Sequence, residues 1–142
     1  MASVTNYDGI RIGDTYSMEK CISEDLVTSF ADLSGDYNPV HMDEKYCSDH
    51  GLGSRIAHGM LVLSYLSAII GMHLPGEGSV WLSQSIDFIS PVSIGDTVKI
   101  TVSVTEKTNA NVMGLKIIGM KVEVRNQSGN KVARGNVKIS IK

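Results

Sequence analysis

The chain of 142 residues carries 13 basic and 15 acidic side chains for a formal net charge of -2, is 42% hydrophobic, and holds 14 glycines against three prolines. This is the balance of one ordinary domain, expected over residues 1–142, that holds its core without disulfides or a structural metal. Scattered Lys and Arg argue against nucleic acid or a membrane surface as partner, and the most apolar run, residues 60–70, falls well short of the roughly 20 residues that a bilayer requires.

Cys21 and Cys47 have neither C-x-x-C spacing nor the density of a disulfide scaffold, and the N-terminal stretch shows no apolar signal region. A cytoplasmic location is the expectation. In chain order, residues 15–22 read as a strand. Ser23 stands at an N-cap position, with Glu24 and Asp25 where a helix dipole favours acids. Leu26, Val27, Phe30, Ala31 and Leu33 recur at helical spacing, and the helix should end near Gly35. Residues 36–41 read as a loop because Pro39 biases Asn38 away from helical angles. A short helical turn is expected over residues 43–48.

Residues 61–70 are apolar on nearly every face, which predicts a helix buried all round, terminated by Gly71 and by Pro75 and Gly76. From residue 79 the period changes to two. Val80, Leu82, Ile86 and Phe88 form one alternating set, and Val98, Ile100, Val102 and Val104 another, with a turn around Pro91 and residues 94–96. Further strands are predicted over 115–125 and 131–141, joined by a turn over 126–130. One apolar helix followed by at least four strands predicts an α+β domain whose antiparallel sheet wraps around that helix. Uncovered sheet edges predict a homodimer.

Two stretches carry chemistry. Asp36 and His41 lie five residues apart across a turn forced by Gly35 and Asn38-Pro39, so a carboxylate and an imidazole can converge on one water for general acid–base work. The alternative is an Asp that caps a turn beside a satisfied polar His. Gly59 stands where the buried helix begins, and the unpaired N–H groups of a first helical turn favour negative charge developing on oxygen. The alternative there is a glycine that merely permits tight packing. His41, His50, His58 and His73 show no H-x-x-x-H spacing, and no dinucleotide-binding glycine motif precedes a helix, so neither a metal nor a redox cofactor is expected. His50 and His73 read as solvated loop residues.

Phe30 followed by Leu33-Ser34-Gly35-Asp36-Tyr37-Asn38-Pro39-Val40-His41-Met42-Asp43 resembles the signature of the MaoC-like dehydratase family, the (R)-specific enoyl-CoA hydratases. Residues 56–60 and the turn from Pro91 to Asp96 are similar to the family as well. The resemblance implies a hot-dog fold, a dimer and an acyl-thioester substrate. By position it implies Asp36 and His41 as the catalytic pair and the Gly59 N–H as oxyanion donor. Ser67, near the catalytic water, and Asn38 join Gly59 in the implied oxyanion and substrate-binding set. Tyr65, Leu66 and Trp81 are candidates for shaping the acyl pocket. A hot-dog thioesterase and a non-catalytic acyl-thioester-binding module are the alternative readings.

Overall fold

Period-two burial organises the second half of the chain. The computed structural model describes residues 6–110 and 114–141, so the outermost ends of the expected domain lie outside the described residues. In β3 (Thr97–Ala110) the side chains of Val98, Ile100, Val102 and Val104 are buried, and Ile118, Met120, Val122 and Val124 of β4 (Leu115–Arg125) lie among them. β5 (Lys131–Ile141) adds Val137, Ile139 and Ile141. Alternation places these sets on one face of the sheet. β1 (Thr15–Cys21) pairs with the outer side of β3, Thr15 opposite Ser103, and β2 (Val80–Phe88) pairs with β5, Val80 opposite Ser140. All pairs are antiparallel, and the strand order is β1-β3-β4-β5-β2.

Among the described residues, four α-helices precede or interrupt the sheet: α1 (Glu24–Ser34), α2 (Pro39–Met42), α3 (Glu44–Asp49) and α4 (Gly59–Met72). In α4 the side chains of Leu61, Val62, Leu63, Leu66, Ile69 and Ile70 share one hydrophobic cluster with the buried face of the sheet. Each such side chain contributes about 1.5–3 kcal/mol when fully buried. The helix touches β1, β2 and β3, so the sheet curves around it in the hot-dog arrangement.

The capping expected at α1 is present: the Ser23 hydroxyl accepts from Leu26 N–H at 3.3 Å, and Gly35 takes a left-handed φ of 82°. Other expectations need correction. Leu33 is 84% exposed despite its helical spacing, because it lies on the side of α1 turned away from the core. Gly71 does not end α4. The helix continues to Met72, and the N–H groups of His73 and Leu74 both donate to the Ile69 carbonyl before Pro75. Nor is α4 buried all round: Met60, Ser64, Ser67 and Met72 are exposed on it. In β2, Val80, Leu82 and Phe88 are about half exposed, because this strand is a sheet edge with a register shift between Trp81 and Ser83.

Candidate active site

The segment after α1 is not a plain loop. Asp36 Oδ1 accepts from Asn38 N–H at 3.1 Å, and Asn38 Oδ1 accepts from Val40 N–H at 3.2 Å. Two successive side-chain turns therefore bend the chain, and Pro39 opens the one-turn helix α2 at a position where a missing N–H costs nothing. His41 sits in that turn and is buried, while Asp36 stands at its mouth half exposed.

The two side chains do converge: Asp36 Oδ2 lies 3.7 Å from His41 Nε2. That is too long for a direct hydrogen bond and leaves room for one water in contact with both. His41 Nδ1 lies 2.7 Å from the Ile56 carbonyl. A carbonyl only accepts, so Nδ1 carries a proton, and Nε2 is the ring nitrogen that faces Asp36.

The backbone around His41 is held from several sides. Arg55 Nε donates to the His41 carbonyl at 2.6 Å while its guanidinium also reaches Glu24 at 2.7 Å. Ile56 N–H donates to the Val40 carbonyl at 3.0 Å. The buried Cys47 thiol donates to the same Val40 carbonyl at 3.3 Å, and burial, helped by nearby Glu44 and Asp43, holds that thiol above the usual range. Tyr37 is exposed and donates to Asp32 at 2.7 Å, a bond that raises its phenol above the ordinary value.

Gly59 begins α4. His58 precedes it as N-cap but gives no side-chain cap, and among the described residues no acceptor takes the Gly59 N–H. An uncapped first turn offers the positive end of the helix dipole to a ligand oxygen. A Cβ at Gly59 would stand 2.7 Å from Phe88 Cζ, so the ring of Phe88 lies directly over this glycine. A cavity of about 420 Å³ joins the parts, with His41, Gly59, Met60, Val62, Phe88, Ile89, Pro91 and Val132 among its walls. An imidazole, an unpaired helix N–H and apolar walls thus meet in one space.

Asp36, His41 and His58 bring carboxylate and imidazole atoms within 4.8 Å of one another. Spacing along the chain does not reveal this cluster, because its members come from two segments. Each ring commits one nitrogen to a backbone carbonyl, and the rings stack with centroids 3.8 Å apart.

Residues 10–126 match the family model described as MaoC like domain. The chain belongs to the MaoC-like dehydratase family. It is 46% identical over 99 residues to the (R)-specific enoyl-CoA hydratase of Rhodospirillum rubrum, an alignment covering 70% of this chain and 69% of that protein. It is 40% identical over 103 residues to the 3-hydroxybutyryl-CoA dehydratase of Methylorubrum extorquens, covering 72% and 66% of the two. The solved (R)-hydratase from A. caviae involved in PHA biosynthesis superposes with a TM-score of 0.88 at 30% identity, covering 94% of this chain and 98% of that one.

Within this MaoC-like frame, His41 and Gly59 line the cavity and Asp36 stands beside it through its 3.7 Å approach to His41, whereas the other expected site residues lie elsewhere. Asn38 uses its side-chain oxygen to cap α2. Ser67 is exposed on α4 and outside the cavity lining, sharing its helix face with Met60 and Ser64 by spacing. Tyr65, Leu66 and Trp81 do not line the cavity either; Leu66 is core, and partial burial pushes the Tyr65 phenol up. The walls come instead from Met60, Phe88, Ile89 and Val132, whose sequence signal is only that of strand ends and helix starts. His50 and His73 are exposed as expected, though each stacks on a tyrosine, Tyr46 and Tyr16 respectively.

Proposed function

We propose that the protein adds water to trans-2-enoyl-CoA to give (R)-3-hydroxyacyl-CoA, and reverses that reaction, with Asp36 and His41 as the water-activating pair. The observation that carries this reading is the 3.7 Å separation of Asp36 Oδ2 from His41 Nε2, with His41 lining a cavity that also reaches Gly59 and its free N–H. The names of the relatives support the substrate class and the (R) configuration.

The thioester carbonyl oxygen accepts from Gly59 N–H, which stabilises the enolate-like charge as water adds to C3. Both members of the pair accept hydrogen bonds from that water, so its proton leaves to the pair as the C–O bond forms. The same pair returns a proton to C2 from the same face, which makes the addition syn. The two groups act as one coupled acid–base unit. The reaction changes no net oxidation level and so needs no redox cofactor, and in the proposed mechanism the Asp36–His41 pair activates the water.

The test is turnover of crotonyl-CoA by purified protein, followed by enoyl absorbance, free thiol and chiral analysis of the product. Absorbance should fall without thiol release, with the (R) alcohol as product. Stoichiometric thiol release would instead make the protein a thioesterase, and binding without turnover would make it an acyl-thioester carrier.

We infer that the working unit is a homodimer joined through β2. Val80, Leu82, Phe88 and Ile89 expose apolar surface along this edge, and Met60 extends the patch on α4. An open edge with an apolar face is a template for pairing. Met60, Phe88 and Ile89 also line the cavity, so a second copy seated there would complete its wall. Sedimentation equilibrium should give twice the 15.3 kDa chain mass, and Leu82→Lys should yield monomers of reduced activity. A wild-type monomer with full turnover would overturn the assignment. No helix among the described residues is long and apolar enough to cross a membrane, and the unpaired Cys21 and Cys47 support a reducing, cytoplasmic setting.

A further inference from the structure

His58 is 2% exposed, which keeps it from substrate, yet it touches every part of the proposed machinery. Its Nε2 lies 3.0 Å from the Asp36 backbone carbonyl, which only accepts, so Nε2–H is the donor. One region of its ring stacks on His41 with centroids 3.8 Å apart and planes 29° from parallel, and Phe30 leans against it at 4.8 Å. Its backbone leads directly into Gly59, and its side chain, turned toward Asp36, leaves the first turn of α4 uncapped.

One atom argues that this is more than space filling. Among the described residues, His58 Nδ1 is the buried side-chain nitrogen or oxygen left without a hydrogen-bond partner. An orphaned buried acceptor costs free energy, and an apolar ring would fill the same volume without that cost. What such a ring lacks is the Nε2–H donor to Asp36.

We propose that His58 is a positioning residue that sets Asp36 and His41 at a fixed distance from the Gly59 N–H. It holds the first through a backbone hydrogen bond, the second through its ring face and the third through the chain itself. The proposal rests on the catalytic assignment of those three groups. In a reaction that needs water, C3 and the thioester oxygen aligned together, a displacement of about 1 Å costs roughly 10²-fold in rate.

The experiment compares His58→Phe, which keeps a stacking ring but no donor, with His58→Gln, whose amide N–H can stand near the place of Nε2. On enoyl-CoA, His58→Phe should lower kcat roughly 10²-fold with KM changed by less than about threefold, because alignment matters chiefly in the transition state. His58→Gln should recover to within about tenfold of wild type. Crystal structures of both variants supply an arm independent of turnover: the 3.7 Å separation of Asp36 and His41 should widen in His58→Phe and persist in His58→Gln. Wild-type kcat in folded His58→Phe, or an unchanged separation there, overturns the positioning role. An inactive wild-type protein would sink the hydratase reading instead, while the separation measured in His58→Phe still decides the role of His58.

Discussion

Asp36→Asn should reduce kcat for enoyl hydration by about 10²–10⁴-fold while leaving the fold intact. Asparagine is as good as aspartate in the side-chain turn that Asp36 makes with Asn38 N–H, so the bend ahead of α2 survives. What changes is the oxygen that faces His41 Nε2: an amide offers half the acceptor capacity and no charge. His41→Asn is the matching probe on the other side. Its amide N–H can stand near Nδ1 and keep the bond to the Ile56 carbonyl, whereas the acceptor at Nε2 is gone. His41→Ala should lose activity by a similar factor and stability as well, since it leaves that carbonyl unpaired and removes the ring on which His58 stacks. Because the two groups act on one water, the double variant should be no slower than the slower single variant within error. Steady-state loss of the enoyl chromophore, with circular dichroism as the control for folding, measures all of these. Wild-type turnover in either Asn variant would remove the pair from the mechanism.

Gly59→Ala is expected to cut kcat/KM by roughly 10²-fold at nearly unchanged melting temperature. The backbone of Gly59 is helical rather than left-handed, so alanine meets no conformational strain. The difficulty is steric. The new methyl would stand 2.7 Å from Cζ and 2.8 Å from Cε1 of Phe88, and either the ring or the start of α4 must move. Phe88 is half exposed at the end of an edge strand, so its displacement costs little stability, but it lines the cavity beside the oxyanion donor. Combining Gly59→Ala with Phe88→Leu should restore most of the lost activity, giving a coupling that independent sites would not show. If the double variant stays as slow as Gly59→Ala alone, the contact with Phe88 is not the cause.

These two expectations differ in how visible they are in the chain. Asp36 and His41 lie within one local turn, and the turn residues between them, Asn38 and Pro39, have conformational preferences that short-range physics dictates. β4 and β5 were legible for a similar reason: a buried face on a central strand calls for an apolar residue at every second position, as at Ile118, Met120, Val122 and Val124, and Asn126 to Asn130 closes the hairpin between them. The alternation in β2 is just as regular, but it specifies two faces and not what covers them, so the exposure of Val80, Leu82 and Phe88 was not readable. Leu33 misled because spacing places a residue on a helix face without saying where the core ends. His58 carried no signal beyond its place in a short motif; its meaning depends on Asp36 and His41, 22 and 17 residues earlier, and on a ring stack that no periodicity encodes. Phe88 reaches Gly59 only through the tertiary fold.

The supports of the α2 turn have one property in common. His58, Arg55, Cys47 and Ile56 all grip main-chain carbonyls, those of Asp36, His41 and Val40. A carbonyl is present whatever the residue, so these particular hydrogen bonds depend on the backbone path and not on the identity of the side chains along it. Met60, Phe88 and Ile89, by contrast, shape the cavity and take no part in holding the turn. The acid–base turn and the rim of the cavity are thereby held by different contacts, with Phe88 also lying over the oxyanion donor Gly59. A lineage or an engineer could retune which acyl chains enter by exchanging rim residues one at a time, with the acid–base geometry carried along unaltered.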